Sequence, residues 1–382
     1  MVTRVAVAPD VLHWAVERSG RDEAEIADRF PALDAWEAGV RQPTLKQLED
    51  FASATRTPLG FLLLPAPIDE PLPIADYRTI KSRGVGRPSA DLLDTIYLCQ
   101  QRQDWYREHA LVNAQESIAF VASLTLSASV RAAAAQIAAW LGYDEEARRG
   151  IRYWSEALRW LADAAEKQGV LVMVSGIVGS NTHRRLDPIE FRGFSLADNL
   201  APLVFVNGAD TKAAQIFSLM HEICHLWLGD SGVSNVAMNV ATSDVHERWC
   251  NEVAAEVLVP TEHLLGEYRD QGLDKELDRL ARVYKVSTLV VLRRLFDIRK
   301  ITWDEFSSSY DDELDRLLEI QRETTGGGDF YNTQPVRVSK RFARAIIADA
   351  LEGQTLHRDA FRLLGFRKYS TFKELSQRLG VA

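Results

Sequence analysis

Three cysteines in a chain of 382 residues (Cys99, Cys224 and Cys250) are too few for a disulfide framework, and odd in number, which points to a reducing compartment. Long apolar runs are missing as well: the longest stretches are interrupted within about ten residues, so no membrane span and no membrane partner are expected. The N-terminus has no basic-then-apolar leader, and the expected location is the cytoplasm. Positive charge is not in excess either. Lys and Arg number 45 against 54 Asp and Glu, a net of −9, which excludes a chain built wholly to coat nucleic acid. What is present is an ordinary globular composition, 46% apolar and 26% charged, long enough for two or three domains. The charge is uneven: residues 330–382 carry ten Lys/Arg and four Asp/Glu, whereas residues 1–60 carry seven and ten.

Helical spacing dominates the first half of the chain. Val11, Leu12, Trp14 and Ala15 open one helix after Pro9, a second begins at Glu25, and Trp36-Glu37-Ala38-Gly39 reads as a helix closing on glycine. Another starts at Pro43-Thr44, with Leu45, Leu48, Phe51 and Ala52 inward. Prolines 65, 67, 71 and 73 then mark an extended linker. Residues 89–168 read as all-helical, with Leu92, Leu93, Ile96 and Tyr97 starting one run, Val130 to Leu141 a second and Tyr153 to Ala165 a third. Trp105, Trp140, Trp154 and Trp160 are expected as core or interface aromatics. Three short strands follow, at 170–174, 191–196 and 202–207.

Chemistry concentrates in His221-Glu222-Ile223-Cys224-His225. On a helix, residues four apart share a face, so both imidazoles can grip one divalent metal. Glu222 lies about 100° round the helix, within reach of a proton on a water held there. Asp210 as N-cap and Gly229 as stop bound this helix at 211–228. A third ligand is required. After a loop from Ser231 to Asp244, the helix from His246 to Pro260 offers Glu247 at the head of an inward stripe with Asn251, Ala254, Ala255 and Leu258. Glu252 and Glu256 fall on the opposite side and are expected in solvent. Glu247 is the expected ligand and His246 the alternative. Asn251, one turn on, is placed to hydrogen-bond a ligand histidine, or else to bond within its own helix. The strand at 202–207 could take an extended substrate along its edge. Zinc is the expected metal; manganese and iron suit the same donors.

Two resemblances follow. Trp36-Glu37-x-Gly39 and Pro43-Thr44-Leu45 resemble the Xre-type helix-turn-helix domain. Ala27 and Trp36 are only nine residues apart, however, and Pro31 falls where a DNA-reading helix would begin. With a net charge of −3 over residues 1–60, this points to a docking module rather than a duplex reader. Asn207-Gly208-Ala209-Asp210-Thr211-Lys212, the His221 to His225 motif and Glu247-x-x-Cys250-Asn251-x-x-Ala254-Ala255-x-x-Leu258-x-Pro260 together resemble the ImmA/IrrE family of bacterial metallopeptidases over about residues 170–265. Cys224 and Cys250 stand where that family usually has glycine and alanine; packing is the simpler reading of both, with thiol control of the metal site as the lesser one.

The resemblance implies an α+β, mostly helical fold with a thermolysin-like (gluzincin) core. It implies zinc at His221, His225 and Glu247, with Glu222 as catalytic base, and cleavage of a helix-turn-helix repressor that frees stress-response or mobile-element genes. The alternative is a DNA-binding regulator or toxin–antitoxin component that uses the peptidase fold as sensor or dimerisation core. The expected parts are a helix-turn-helix-like domain at 1–64, a proline-rich linker at 65–88, and a peptidase domain at 89–300. Within the last, residues 89–168 form a helical lead-in and 169–265 the catalytic core. A basic helical segment at 301–382 follows the break at Gly326-Gly327-Gly328, with Lys340, Arg341 and Arg344 on one side of a helix from Ser339 to Leu351. A second helix-turn-helix-like pair is expected at 356–364 and 370–379, the better nucleic-acid candidate by charge. No DNA-contacting residue is singled out.

Overall fold

The computed structural model describes residues 3–78, 87–234, 244–323 and 330–381. The glycine run at 326–328 and most of the loop expected before Asp244 lie outside the described residues. The chain divides into two compact units, Met1–Pro73 with Val85–Tyr97, and Ile74–Gly84 with Leu98–Ala382.

Capping chemistry sets the helices of the first unit. Pro9 opens α1 (Pro9–Ser19), and Gly20 closes it with φ at 63°. Asp22 caps α2 (Glu23–Arg29). After the five-residue α3 (Leu33–Glu37), a reciprocal Thr44–Gln47 capping box starts α4 (Leu45–Ala54). Trp14, Ile26, Leu33, Trp36, Leu48, Phe51 and Leu62 form the core. Leu45, expected inside, is exposed: it is the first residue of α4, ahead of the turn that meets the core. Arg18 holds Glu70 through Nε at 2.5 Å and Nη2 at 3.1 Å.

The second unit is built on five strands, β1 (Ala75–Asp76), β2 (Leu171–Ser175), β3 (Gly193–Leu196), β4 (Leu203–Asn207) and β5 (Gly232–Ser234), in the order β1-β5-β3-β4-β2. β2 runs parallel to β4 and β1 parallel to β5, while β3 is antiparallel to both of its neighbours. Residues 65–88 therefore include a strand of this sheet. Phe191, expected within a strand, lies just ahead of β3.

Helices surround the sheet. α5 (Ala90–Val112) carries the chain from the first unit into the second, and α6 (Val130–Leu141), α7 (Glu145–Gly150) and α8 (Trp154–Lys167) precede β2. β2 and β4 are buried on both faces, which is why Leu-Val-Met-Val and Leu-Val-Phe-Val read as unbroken apolar runs without alternation. Val172, Val174, Val204 and Val206 share a core with α9 (Lys212–Leu228), whereas Met173 meets Cys99 and Arg102 of α5. Beyond α9 come α10 (Val245–Leu258), α11 (Thr261–Glu267), α12 (Leu273–Tyr284), α13 (Thr288–Asp297) and α14 (Trp303–Glu323).

The last helices are α15 (Phe330–Val338), α16 (Lys340–Leu351), α17 (His357–Leu364) and α18 (Tyr369–Leu379). α15 and α16 pack beside β2. Part of the basic face expected on α16 is turned towards α8, where Lys340 Nζ reaches Asp163 at 2.6 Å and Ser339 donates to Glu166 at 2.5 Å. Trp140, Trp154 and Trp160 pack on the rim of the core, and Trp105 meets Phe342 edge-on. The unit is mostly helical with a small mixed sheet, an α+β arrangement. Among the described residues, no helix is long and apolar enough to cross a membrane.

Candidate metal centre

α9 runs under β3 and β4 and is buried from Gln215 to Trp227. Its N-cap is Thr211, whose hydroxyl accepts from the Ala214 N–H at 3.3 Å; Asp210, expected in that role, instead accepts from the Thr211 N–H. Gly229 ends the helix at φ 79°, and a Cβ there would meet that of Ala122 at 2.6 Å. Asp244 starts α10 by accepting from the N–H groups of His246 and Glu247. α10 packs along α9, which brings Glu247 to the histidines.

The geometry is tight. His225 Nε2 lies 3.0 Å from His221 Nε2 and 2.9 Å from Glu247 Oε1, and His221 Nε2 lies 3.4 Å from Glu247 Oε2. One donor atom from each of the three falls within 4.8 Å of the others, and all three side chains are buried. Two imidazole nitrogens and a carboxylate oxygen converging on one point suit a borderline divalent cation, so these residues fit a metal. Glu222 is completely buried beside them, and neither of its oxygens has a hydrogen-bond partner.

Burial and charge set the protonation of the cluster. Burial lowers the pKa of His221. For His225 burial acts downwards too, but the carboxylates of Asp230 and Glu247 outweigh it and hold the imidazole above its ordinary value. Burial would raise Glu247; His221 and His225 outweigh it and hold that carboxylate below its usual range. Glu222 is pushed up by burial to about 8. Cys224 and Cys250 are free, buried in the same core and held above the usual thiol range by burial, which keeps them as thiols.

Other expected residues fall in different places. His246 stands outside the group of three, 2.5 Å from Asp230 Oδ2 through its Nδ1. Asn251 lies near enough to His221 to favour its protonated form, yet Asn251 Oδ1 and His221 Nδ1 each lack a hydrogen-bond partner. Glu252 is exposed, but Glu256 is buried, because Arg294 of α13 and Thr261 of α11 close over it and bond its carboxylate. The edge role expected of β4 does not hold: β4 lies between β3 and β2, with both of its edges paired.

Three contributors carried no signal in the sequence. Ser234 of β5 donates to Glu247 Oε1 at 3.1 Å. Gly193 of β3 leaves room for Glu222, since a Cβ there would stand 2.9 Å from its Oε1. Tyr77 stacks on His225 with ring centres 5.5 Å apart and planes 8° from parallel.

Residues 165–296 match the family model of the IrrE N-terminal-like domain, and residues 338–378 match Domain of unknown function (DUF8813). No curated protein and no solved structure gives a significant match to the chain. The first match encloses the whole cluster, and together they point to a metallopeptidase of the IrrE/ImmA kind in residues 165–296.

Proposed function

We propose that the protein is a cytoplasmic zinc-dependent endopeptidase that cleaves a helix-turn-helix transcriptional repressor and so releases stress-response or mobile-element genes. The observation that carries the reading is the buried group of His221, His225 and Glu247 beside the unpartnered Glu222. The three would hold the metal, with zinc favoured and manganese or iron suited to the same donors. When bound, a divalent ion acidifies water, polarises a peptide carbonyl and lowers the pKa of a neighbouring carboxyl.

The chain's own residues supply the rest. Glu222, whose oxygens are not tied down by a close hydrogen bond, takes a proton from the attacking water and passes it to the leaving amine. Gly193 allows that carboxyl to sit against β3. Ser234 fixes one oxygen of Glu247 and leaves the other towards His221.

The first unit would recruit the repressor. Its acidic balance and a five-residue α3 with Leu33 and Trp36 buried suit protein docking better than a major groove. Pairing of Lys340 with Asp163 likewise favours a covering role for the basic C-terminal helices. The test is metal analysis of the purified chain followed by incubation with the repressor encoded beside it. One zinc per chain, lost in His225→Ala and Glu247→Ala, together with a discrete repressor cut, is expected; a zinc-free chain or an intact repressor contradicts the reading.

A further inference from the structure

The sheet edge nearest the metal cluster is covered by the chain itself. β5 ends at Ser234, which bonds Glu247, and its outer edge is paired with β1 in the register Ala75 to Gly232 and Asp76 to Val233. Continuing that register brings Tyr77 level with Ser234, and the Tyr77 N–H donates to Val233 O at 3.0 Å. The Tyr77 ring then lies along both His225 and His246, with centroids 5.5 and 6.4 Å away and planes tilted by 8° and 12°. Gly232 makes this possible, because a Cβ there would stand 2.3 Å from Tyr77 Cε2.

An extended polypeptide bound by strand addition needs a free row of backbone N–H and C=O groups. In this sheet β3 and β4 are paired on both sides, and β2 is flanked by α15. The edge that leads to His225 and Glu247 is that of β5, and residues 75–77 occupy it.

The occupant is lightly held. Ala75 and Asp76 are exposed. Beyond the β5 pairing and the Tyr77 ring, the buried Arg78 ties the segment to Glu190 at 3.4 Å, and it braces the segment internally by gripping Asp76 at 2.8 Å. Two strand residues, one ring and one arginine are a modest set of contacts, which an extended peptide that pairs with the same residues of β5 and adds side-chain contacts of its own can replace.

We propose that residues 74–78 are an intramolecular strap on the docking edge for an extended polypeptide, and that substrate reaches the cluster by displacing it. The proposal rests on the peptidase reading above and adds its regulation: the resting chain is closed by its own segment.

The test compares wild-type full-length protein with Tyr77→Ala, which removes the ring, and Arg78→Ala, which removes the anchor without touching the cluster. Each is loaded with zinc, and transfer of zinc to the chelator 4-(2-pyridylazo)resorcinol is timed; cleavage of fluorescein-labelled casein is followed in parallel. Ser339→Ala, remote from the site, controls for general loosening, and thermal melting identifies any variant that does not fold, in which case the other decides. Release at least tenfold faster in the strap variants than in wild type and Ser339→Ala is expected, with a rise in casein cleavage of similar size. Release at the wild-type rate overturns the strap. Zinc-loaded proteins of which none cuts casein or the neighbouring repressor contradict the peptidase reading, while the release rates still decide the strap. A chain that takes up no zinc removes the reading and the strap together.

Discussion

Ser234 and Glu247 are joined by a hydrogen bond of 3.1 Å between two buried side chains, thirteen residues apart in sequence and on different elements. The hydroxyl donates to Oε1 and so fixes the rotation of the carboxylate against the two histidines. Contacts of this kind orient a ligand and tune its affinity for metal. Ser234→Ala should therefore weaken zinc binding by on the order of tenfold, with the fold intact. Competition against a chelator of known affinity measures it; an unchanged affinity shows that the hydroxyl does not support the site.

Substitution of Gly193 should separate metal binding from turnover. A methyl group there would meet Glu222 Oε1 at 2.9 Å, Glu222 Cγ at 3.0 Å and the Phe205 carbonyl oxygen at 3.0 Å. The backbone oxygen gives little, so the carboxyl must move. Misplacement of a catalytic group by about 1 Å costs on the order of a hundredfold. Gly193→Ala should keep zinc stoichiometry and lose repressor cleavage to that extent, and cleavage at the wild-type rate would place Glu222 outside the reaction.

Glu256 and Arg294 form a buried pair, closed further by Thr261, whose hydroxyl donates to Glu256 at 2.6 Å and accepts from Arg294 at 2.8 Å. Removing one partner strands the other in the core. Glu256→Ala should cost about 3 kcal/mol, whereas replacing both residues by methionine should recover much of it. Chemical denaturation of the single and double variants gives the coupling; additive losses would mean the pair does not act as a unit.

Glu276 provides the pH dependence. Burial would raise its carboxyl, but Arg279, the Arg269 N–H and Gln271 outweigh it and hold the pKa down at about 2. A depressed carboxylate adds stability above its unfolded pKa and loses it as pH falls towards the folded value. Allowing for the part-exposed Arg279, the contribution is about 2 kcal/mol. Stability should fall between pH about 4.5 and 2, and the fall should be shallower in Glu276→Gln. An identical pH profile for the two proteins would contradict this.

The helix that carries His221 and His225 was legible because its signals are local: the i, i+4 histidines, the apolar periodicity and the closing Gly229 all lie within one short stretch. The Glu247 stripe was legible for the same reason. Glu256 was misread because one helix's periodicity reports one buried face, while Glu256 is closed over by α11 and α13 and its partner Arg294 lies 38 residues further on. β4 was misassigned to an edge because strand order is not written in a strand's own residues. Ser234 and Tyr77 were invisible for a related reason. Each reaches the cluster only through the pairing of β5 with β3 and β1, and β1 lies in a proline-rich stretch that reads as linker.

The most direct test of the central claim is cleavage of the neighbouring repressor by Glu222→Gln beside wild type, with zinc measured in both. The substitution keeps shape and removes the group that carries the proton. Zinc at wild-type stoichiometry with no cleavage is the expected result; a zinc-loaded Glu222→Gln protein that still cuts the repressor would contradict it.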